Sequence, residues 1–299
     1  MQVSEISELP SPASRVTLRA AQPPDAEQCG KVAYEAHQAV SAAHNFSAEV
    51  PSVDLAIGMM TGKLKDPHAR GLVAERAGQV IGSVFLTGFP PTPIAAIGPL
   101  TVLPSEQGKV GRQLMEAALE QGRELGFESI RLVQSPFHLR SLALYVKLGF
   151  EVREPLLFVQ GSPPDVPIGE RRVRLAEATD IEVCNRLCLD VHGLQREAQL
   201  RPAVDQHLAT VVERDQRIVG YAAGLGFLGH AVAETTDDLK ALISQAPKIM
   251  GPGFFVPTRN GELLRWLLAY GFRGLWPATL MSMGTYQDPA GAFLPAISF

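Results

Sequence analysis

A short loop at Gln107–Arg112, with the sequence QGKVGR, combines two glycines with two basic side chains. The apolar segment 95–103 before it predicts a strand buried on both faces, and the residues from Gly111 onward predict an amphipathic helix that opens by Arg112. A strand, a glycine loop and a helix N-terminus direct backbone N–H groups at a bound anion. Lys109 and Arg112 add positive charge, and glycine tolerates unusual backbone conformations. We therefore expect an anion site here, with an ordinary strand-to-helix turn as the alternative.

A second group of polar side chains lies on one helix that follows Pro136. Apolar residues at i, i+3, i+4 and i+7 predict the face that this helix buries, and they are Leu139, Leu142, Ala143 and Val146. Tyr145 lies about 100° from that stripe, and His138 and Ser141 share its flank. A phenol with a pKa of about 10 is protonated at neutral pH and can act as a general acid. A boundary tyrosine with a solvated hydroxyl is the alternative.

Regular elements around these motifs alternate in an α/β pattern. A strand and a helix are predicted after Arg15, a hairpin turns at Arg76–Gly78, and the segment 129–134 predicts a strand between two helices. Gly126 and Gly149 stand where those helices are expected to end.

The sequence has the form of a divergent duplication on either side of a proline- and glycine-rich linker. Three blocks recur in the same order at separations of 155, 138 and 122 positions, pairing Asp25 with Asp180, Cys29 with Cys184, His37 with His192, Glu75 with Glu213, Gly82 with Gly220, His138 with Asn260, Gly149 with Gly271 and Phe150 with Phe272. Chance similarity between short apolar segments is the alternative. The predicted organisation is a flexible tail (1–14), a first lobe (15–160), a linker (161–170) and a second lobe (171–299). The second copy is shortened where the first holds its glycine loop, so we expect the anion site in the first lobe alone.

The first lobe resembles the GNAT superfamily of N-acetyltransferases from Arg15 to Gln160, in the order of its elements and in two motifs. One motif is the glycine loop Gln107–Gly111, which is one residue short of the usual glycine spacing of the family. The other runs from His138 to Phe150 and contains Leu-Tyr-x-Lys-x-Gly-Phe, with His138 where the family has asparagine. The whole chain resembles two-lobed members. The resemblance implies an α/β fold of two GNAT-like lobes, each a twisted mixed sheet flanked by helices.

The resemblance also implies an N-acetyltransferase that moves the acetyl group from acetyl-CoA to a primary amine. Backbone N–H groups near Leu100 to Val102 are expected to stabilise the developing oxyanion. Tyr145 is expected to protonate the leaving thiolate, and its counterpart in the second lobe is Leu267. The implied cofactor-binding residues are Leu100, Val102, Gln107, Gly108, Lys109, Val110, Gly111, Arg112, His138 and Ser141. No general base is assigned, and a water chain or a carboxylate such as Glu75 are the candidates.

Composition narrows the classes of protein to consider. The chain has 299 residues, a net charge of −4 and 46% apolar residues, with no basic stripe of the kind that binds nucleic acid and no apolar run of membrane-spanning length. Three cysteines without paired spacing fit a reducing compartment, so we expect a cytoplasmic location. Cys184, Cys188 and His192 are four residues apart on one helix, too widely spread for one metal ion without a bend. We expect buried thiols there and no metal.

The expected acceptor is a small-molecule amine, and neither nucleic acid nor a membrane is an expected partner. The oligomeric state is left open, with a homodimer as one alternative. Two other functions remain as alternatives. One is a non-catalytic module that binds acyl-CoA or has a regulatory role, and the other is a protein N-acetyltransferase.

Overall fold

The computed structural model describes residues 15–89 and 92–298 of the chain. It divides into two compact units. The first unit is Met1–Leu86 with Ile97–Gln121, and the second is Thr87–Ala96 with Gly122–Phe299. Within the described ranges, no helix combines the length and the apolar character that crossing a membrane requires.

Helices and strands alternate along the chain, which confirms the predicted α/β class. The helices are α1 (Ala26–Ala43), α2 (Val53–Lys65), α3 (Lys109–Glu124), α4 (Leu139–Lys147), α5 (Ile181–His192), α6 (Glu197–Asp205), α7 (Thr236–Ser244) and α8 (Gly261–Ala269). The strands are β1 (Thr17–Ala20), β2 (Ala69–Arg76), β3 (Gln79–Gly88), β4 (Ile94–Ile97), β5 (Thr101–Val102), β6 (Ser129–Gln134), β7 (Glu151–Gln160), β8 (Arg172–Leu175), β9 (Thr210–Arg214), β10 (Arg217–Ala222), β11 (Leu225–Gly226), β12 (Ala231–Ala233), β13 (Ile249–Met250), β14 (Phe254–Pro257), β15 (Arg273–Gly284) and β16 (Ala292–Leu294).

The first unit is an antiparallel sheet packed against helices. β1 pairs with β2, β2 lies beside β3, and β3 pairs with β5. The predicted hairpin is confirmed: β2 and β3 are joined by Ala77 and Gly78, both with positive φ (50° and 79°), as in the turns that match the twist of two strands. A buried cluster joins α1 and α2 to these strands; it contains Cys29, Ala33, Met60, Val73, Val80 and Phe85.

The prediction of one continuous strand over 95–103 is wrong. β4 ends at Ile97 and β5 covers only Thr101 and Val102, so that Leu100 lies half-buried between the two strands. Pro99 has no N–H to donate to a ladder and interrupts the pairing. Pairing with β3 continues beyond β5, because the Leu103 N–H donates to the Ile81 carbonyl at 2.9 Å.

The second unit contains two larger sheets. One has the strand order β4-β6-β15-β7-β14, in which β4 and β6 are parallel and the other neighbours are antiparallel. The other has the order β16-β12-β10-β9-β8, with antiparallel neighbours. The first of these sheets is therefore mixed, as predicted, and the second is antiparallel.

Strand β15, from the second half of the sequence, lies between β6 and β7 from the first half. Thr279 to Gly284 pair with β6, and Arg273 to Ser282 pair with β7. The strands on the two sides of linker 161–170 are thus hydrogen-bonded neighbours, and the compact units do not divide at the linker. The lobe boundaries remain a prediction about the sequence repeat.

An ion-pair triad closes the first strand–helix connection of the first lobe. Arg19 Nη1 lies 2.7 Å from Asp25 Oδ2, and Arg19 Nε lies 2.8 Å from Glu75 Oε2. The Asp25 carboxylate also accepts a hydrogen bond from the Gln22 N–H at 2.7 Å. The guanidinium lowers the pKa of Asp25 below its ordinary value. Glu75 is committed to this triad, which argues against it as the general base.

The same triad recurs in the second lobe. Arg174 Nη1 lies 2.6 Å from Asp180 Oδ2, and Arg174 Nε lies 2.7 Å from Glu213 Oε1. The arginines differ by 155 positions, as do the aspartates, and the glutamates differ by 138. The separations are those of the sequence repeat, so the duplication extends to the interactions that close each lobe.

We expect Asp180→Asn to lower the melting temperature by about 2–6 °C at pH 7, since it breaks a partly buried charged contact worth about 1–2 kcal/mol. The hydrogen bond from Arg174 lowers the pKa of Asp180. The contribution of Asp180 to the stability of the fold is therefore present above the ordinary carboxyl pKa. It is lost as the pH falls through the lowered pKa. The difference between wild type and variant should shrink below about pH 4. Glu182→Gln, in an exposed pair with Arg186, is the control and should shift the melting temperature by no more than about 1 °C. A pH-independent difference would contradict the triad's role.

Candidate functional site

The glycine loop leads directly into the first turn of α3. The segment Pro104–Glu106 forms a 3-10 turn, Gly108 has φ 139°, and the helix begins at Lys109. The expected helix start near Gly111 or Arg112 is therefore wrong by about one turn. Because the first N–H groups of a helix have no acceptor inside it, the backbone N–H groups of Gly108 to Gly111 form the positive end of α3.

The two glycines of the loop have different roles. The φ of Gly108 is nearly inaccessible to other residues, and a Cβ placed there would meet nothing within 4 Å. Gly111 is helical and buried. Of the two glycines, Gly108 alone has a positive φ, because the helix begins before Gly111.

A cavity of about 500 Å³ lies against the first turn of α3, within the first unit. Its lining is mostly polar and consists of Arg15, Val16, Arg76, Ser105, Glu106, Gln107, Lys109, Val110 and Gln113. The structure thus brings the predicted residues Gln107, Lys109 and Val110 together with two arginines that sequence reasoning missed. The only sequence signal for Arg76 is its position at the end of the first hairpin strand. Arg112 is instead exposed and forms a pair with Glu116 at 3.4 Å.

In the second lobe, the corresponding helix is capped by its own side chains. α7 follows β12, and the N-cap residue Thr235 accepts a hydrogen bond from the Asp238 N–H at 3.2 Å. The Asp238 carboxylate accepts from the N–H and the hydroxyl of Thr235 at 3.1 and 2.6 Å. It also binds Arg171 at 2.7 Å and Arg214 at 3.1 Å, and its side chain is fully buried. A carboxylate of the protein therefore occupies this helix terminus.

The register of β5 directs one backbone N–H away from β3. Val102 lies opposite Gly82 and Thr101 opposite Ser83, and the Leu103 N–H bonds to Ile81. Because hydrogen-bonded and non-bonded residue pairs alternate in an antiparallel ladder, Val102 belongs to a non-bonded pair. Its N–H points to the other edge of β5.

Helix α4, in the second unit, buries a different face from the one that the spacing predicts. Tyr145 is only 9% exposed, whereas Leu139 and Val146 of the predicted core stripe are 69% and 55% exposed. The ring centroid of Tyr145 lies 6.0 Å from that of Phe150, and burial raises the pKa of the phenol to about 12. A nine-residue helix with apolar residues on several sides does not show by spacing alone which side meets the sheet.

His138 and Ser141 lie at the start of α4 and are half-buried. His138 is the N-cap residue, and the Ser141 hydroxyl donates to the His138 carbonyl at 2.9 Å and to Gln134 Oε1 at 3.4 Å. Ser141 thereby contacts Gln134 at the end of β6. In the second lobe, the counterpart Asn260 is also an N-cap residue, and Leu267 at the position of Tyr145 is fully buried.

The expected buried thiols are confirmed on α5. Cys184 and Cys188 are fully buried and are free thiols, and His192 is 5% exposed. Burial raises the pKa of the Cys184 thiol to about 12 and lowers the pKa of His192 to about 3. These groups pack as core residues.

The sequence model of the acetyltransferase (GNAT) family matches residues 33–150. This segment of the chain is similar to the GNAT family. The matched segment holds the glycine loop, the first turn of α3 and Tyr145. The resemblance stated from the motifs is thereby confirmed.

Solved structures extend the similarity over the whole chain. A protein from Pyrococcus horikoshii described as an acetyltransferase superposes with a TM-score of 0.71 at 16% identity, over 99% of both chains. A GCN5-related N-acetyltransferase from Sphaerobacter thermophilus gives a TM-score of 0.63 at 12% identity, covering 95% of this chain and 100% of its own. A tandem GNAT protein from the clavulanic acid biosynthesis pathway gives a TM-score of 0.55 at 14% identity, covering 93% of this chain and 99% of its own. At these identities the likeness shows a shared fold. No curated protein matches in sequence.

Proposed function

We propose that the first lobe binds acetyl-CoA at the N-terminus of α3 and transfers its acetyl group to a primary amine. The observation that carries the proposal is the first turn of α3, which lies inside the segment that matches the acetyltransferase family. This turn borders a cavity lined by Arg15, Lys109 and the ion pair of Arg76 with Glu106. Backbone N–H groups at a helix terminus and nearby cations suit a pyrophosphate. Acetyl-CoA is a cosubstrate that supplies the activated acetyl group.

The groups of the chain fit the steps of direct transfer. The nitrogen of the neutral amine bonds to the thioester carbon and releases its surplus proton to solvent water. The Val102 N–H supplies a donor for the charge that develops on the carbonyl oxygen. As the C–S bond breaks, the electron pair leaves with sulfur, and the Tyr145 hydroxyl donates its proton to the thiolate. A pKa of about 12 keeps that phenol protonated at neutral pH. It also makes the phenol a weaker acid than an exposed tyrosine, so we expect a moderate contribution.

The second lobe, in our proposal, binds no acetyl-CoA. Two features support this assignment. Asp238 fills the helix terminus that would otherwise receive a phosphate, and Leu267 has no proton to donate. The second lobe still supplies β15 to the sheet that contains β6 and β7.

We propose a small-molecule amine as the acceptor and the cytoplasm as the location. The free and buried thiols of Cys29, Cys184 and Cys188 are those of a protein kept in a reducing compartment. Incubation with labelled acetyl-CoA and a pool of metabolites tests the acceptor class, with mass spectrometry to identify the product. Label that appears only in proteins would overturn the small-molecule acceptor.

Gly108→Val is expected to raise the Kd for acetyl-CoA at least tenfold, a loss of about 1.4 kcal/mol. The substitution meets no neighbouring atom, so the loss comes from backbone strain that turns the loop amides away. Gly126→Val is the matched control, because Gly126 follows the other end of α3 with φ 78° and open space around it. Calorimetry should find its Kd unchanged. Equal affinities for all three proteins would mean that the loop is only a turn.

Tyr145→Phe is expected to lower kcat by about a hundredfold, the low end of the range for general acid catalysis. The ring and its packing against Phe150 are kept, so the Kd for acetyl-CoA should change little. The interaction strengthens only as the C–S bond breaks, and the loss therefore falls on kcat. Tyr270→Phe, at a 45% exposed position, is the control. A preserved kcat, or a rise in KM alone, would show that Tyr145 only packs or binds.

A further inference from the structure

One ion pair connects the end of the first hairpin strand to the start of the glycine loop. Arg76 is the last residue of β2, and Glu106 ends the 3-10 turn that precedes Gln107. Arg76 Nη1 lies 2.7 and 2.6 Å from the two carboxylate oxygens of Glu106. The side chains are 35% and 21% exposed, so the contact is partly shielded from water. All of these residues lie in the first unit.

The second lobe has an arginine at the equivalent position, but its carboxylate partner lies elsewhere in the sequence. Arg214 stands 138 positions after Arg76, at the separation that relates Glu75 to Glu213. It ends β9 as Arg76 ends β2, and it binds Asp238 inside the first turn of α7 at 3.1 Å. Each lobe therefore uses this arginine to hold the chain where the crossover helix begins.

The position of the carboxylate decides what the helix terminus can bind. In the second lobe, Asp238 is the third residue of α7 and caps the helix itself. In the first lobe, Glu106 precedes α3 by three residues, so its charge is held by Arg76 outside the first turn. The carboxylate of the first lobe thus lies before the loop, whereas that of the second lobe lies within the first turn of its helix.

We propose that the Arg76–Glu106 ion pair positions the loop Gln107–Gly111 to receive the pyrophosphate of acetyl-CoA. The inference rests on the proposed function and assigns two positioning residues to it. Neither side chain needs to touch the cofactor. The pair fixes the entry to the loop before the ligand arrives, so that less ordering remains to be done on binding.

Glu106→Gln tests the proposal because it keeps the size of the side chain and removes its charge. We expect the Kd for acetyl-CoA, measured by calorimetry, to rise about fivefold. S-acetylpantetheine lacks the pyrophosphate, so its kcat/KM as acetyl donor should stay within twofold of wild type. Glu27→Gln removes the charge from an exposed pair with Lys31 in the same unit and should change neither value. The double variant Arg76→Glu with Glu106→Arg should recover most of the affinity.

Two results would overturn the proposal. One is an acetyl-CoA Kd within twofold of wild type in the Glu106→Gln protein. The other is an equal loss with both acetyl donors, which indicates general damage to the fold. A wild-type protein that binds no acetyl-CoA refutes the proposed function and this inference with it. A wild-type protein that binds, with a variant that binds equally well, refutes only the inference.

Discussion

Backbone N–H groups at the start of a helix have no acceptor inside the helix, and each lobe of this protein meets that constraint differently. In the second lobe, Asp238 accepts from Thr235 and is held by Arg171 and Arg214, and the Asp238 side chain is fully buried. In the first lobe, the acidic residue stands before the loop, and the first turn of α3 borders a cavity with basic residues in its lining. One fold thus produces a self-capped helix and a helix terminus suited to a phosphate. The difference depends on where one carboxylate lies in the sequence.

The duplication is visible in interactions as well as in sequence. The two arginine-centred triads, at Arg19 and Arg174, have the same partners at the same separations. Yet the halves do not form independent sheets, because β15 from the second half separates β6 from β7 of the first. A second lobe that binds no ligand of its own would still be needed, because it supplies β15 to this sheet. In our proposal, this strand is a physical reason for keeping a second lobe that binds no acetyl-CoA.

Local features were the most accessible from sequence. The hairpin at Ala77–Gly78, the buried Cys184 and Cys188 and the glycine loop followed from short patterns, since each depends on neighbouring residues. Three expectations failed for identifiable reasons. Pro99 splits the apolar run that suggested one strand, and α3 gains a turn at its start. Helix α4 buries Tyr145 and exposes Leu139, because hydrophobic spacing does not state which side of a short helix meets a sheet.

Long-range partners were beyond sequence reasoning. Arg15 and Arg76 line the cavity because the ends of two strands lie beside the start of α3, and strand ends carry no motif. The position of β15 between β6 and β7 could not be predicted either. Its sequence pattern predicts a strand but does not indicate which strands it pairs with. The repeat separation relates Arg214 to Arg76, but only the structure shows that each arginine meets a carboxylate near the start of a helix.

Isothermal titration of the wild-type chain with acetyl-CoA tests the central claim most directly, because that claim assigns the single ligand-accepting helix terminus to the first lobe. The account predicts one acetyl-CoA per chain. Two equivalent sites would show that Asp238 does not close the second lobe, and an absence of binding would show that the first turn of α3 does not serve this cofactor.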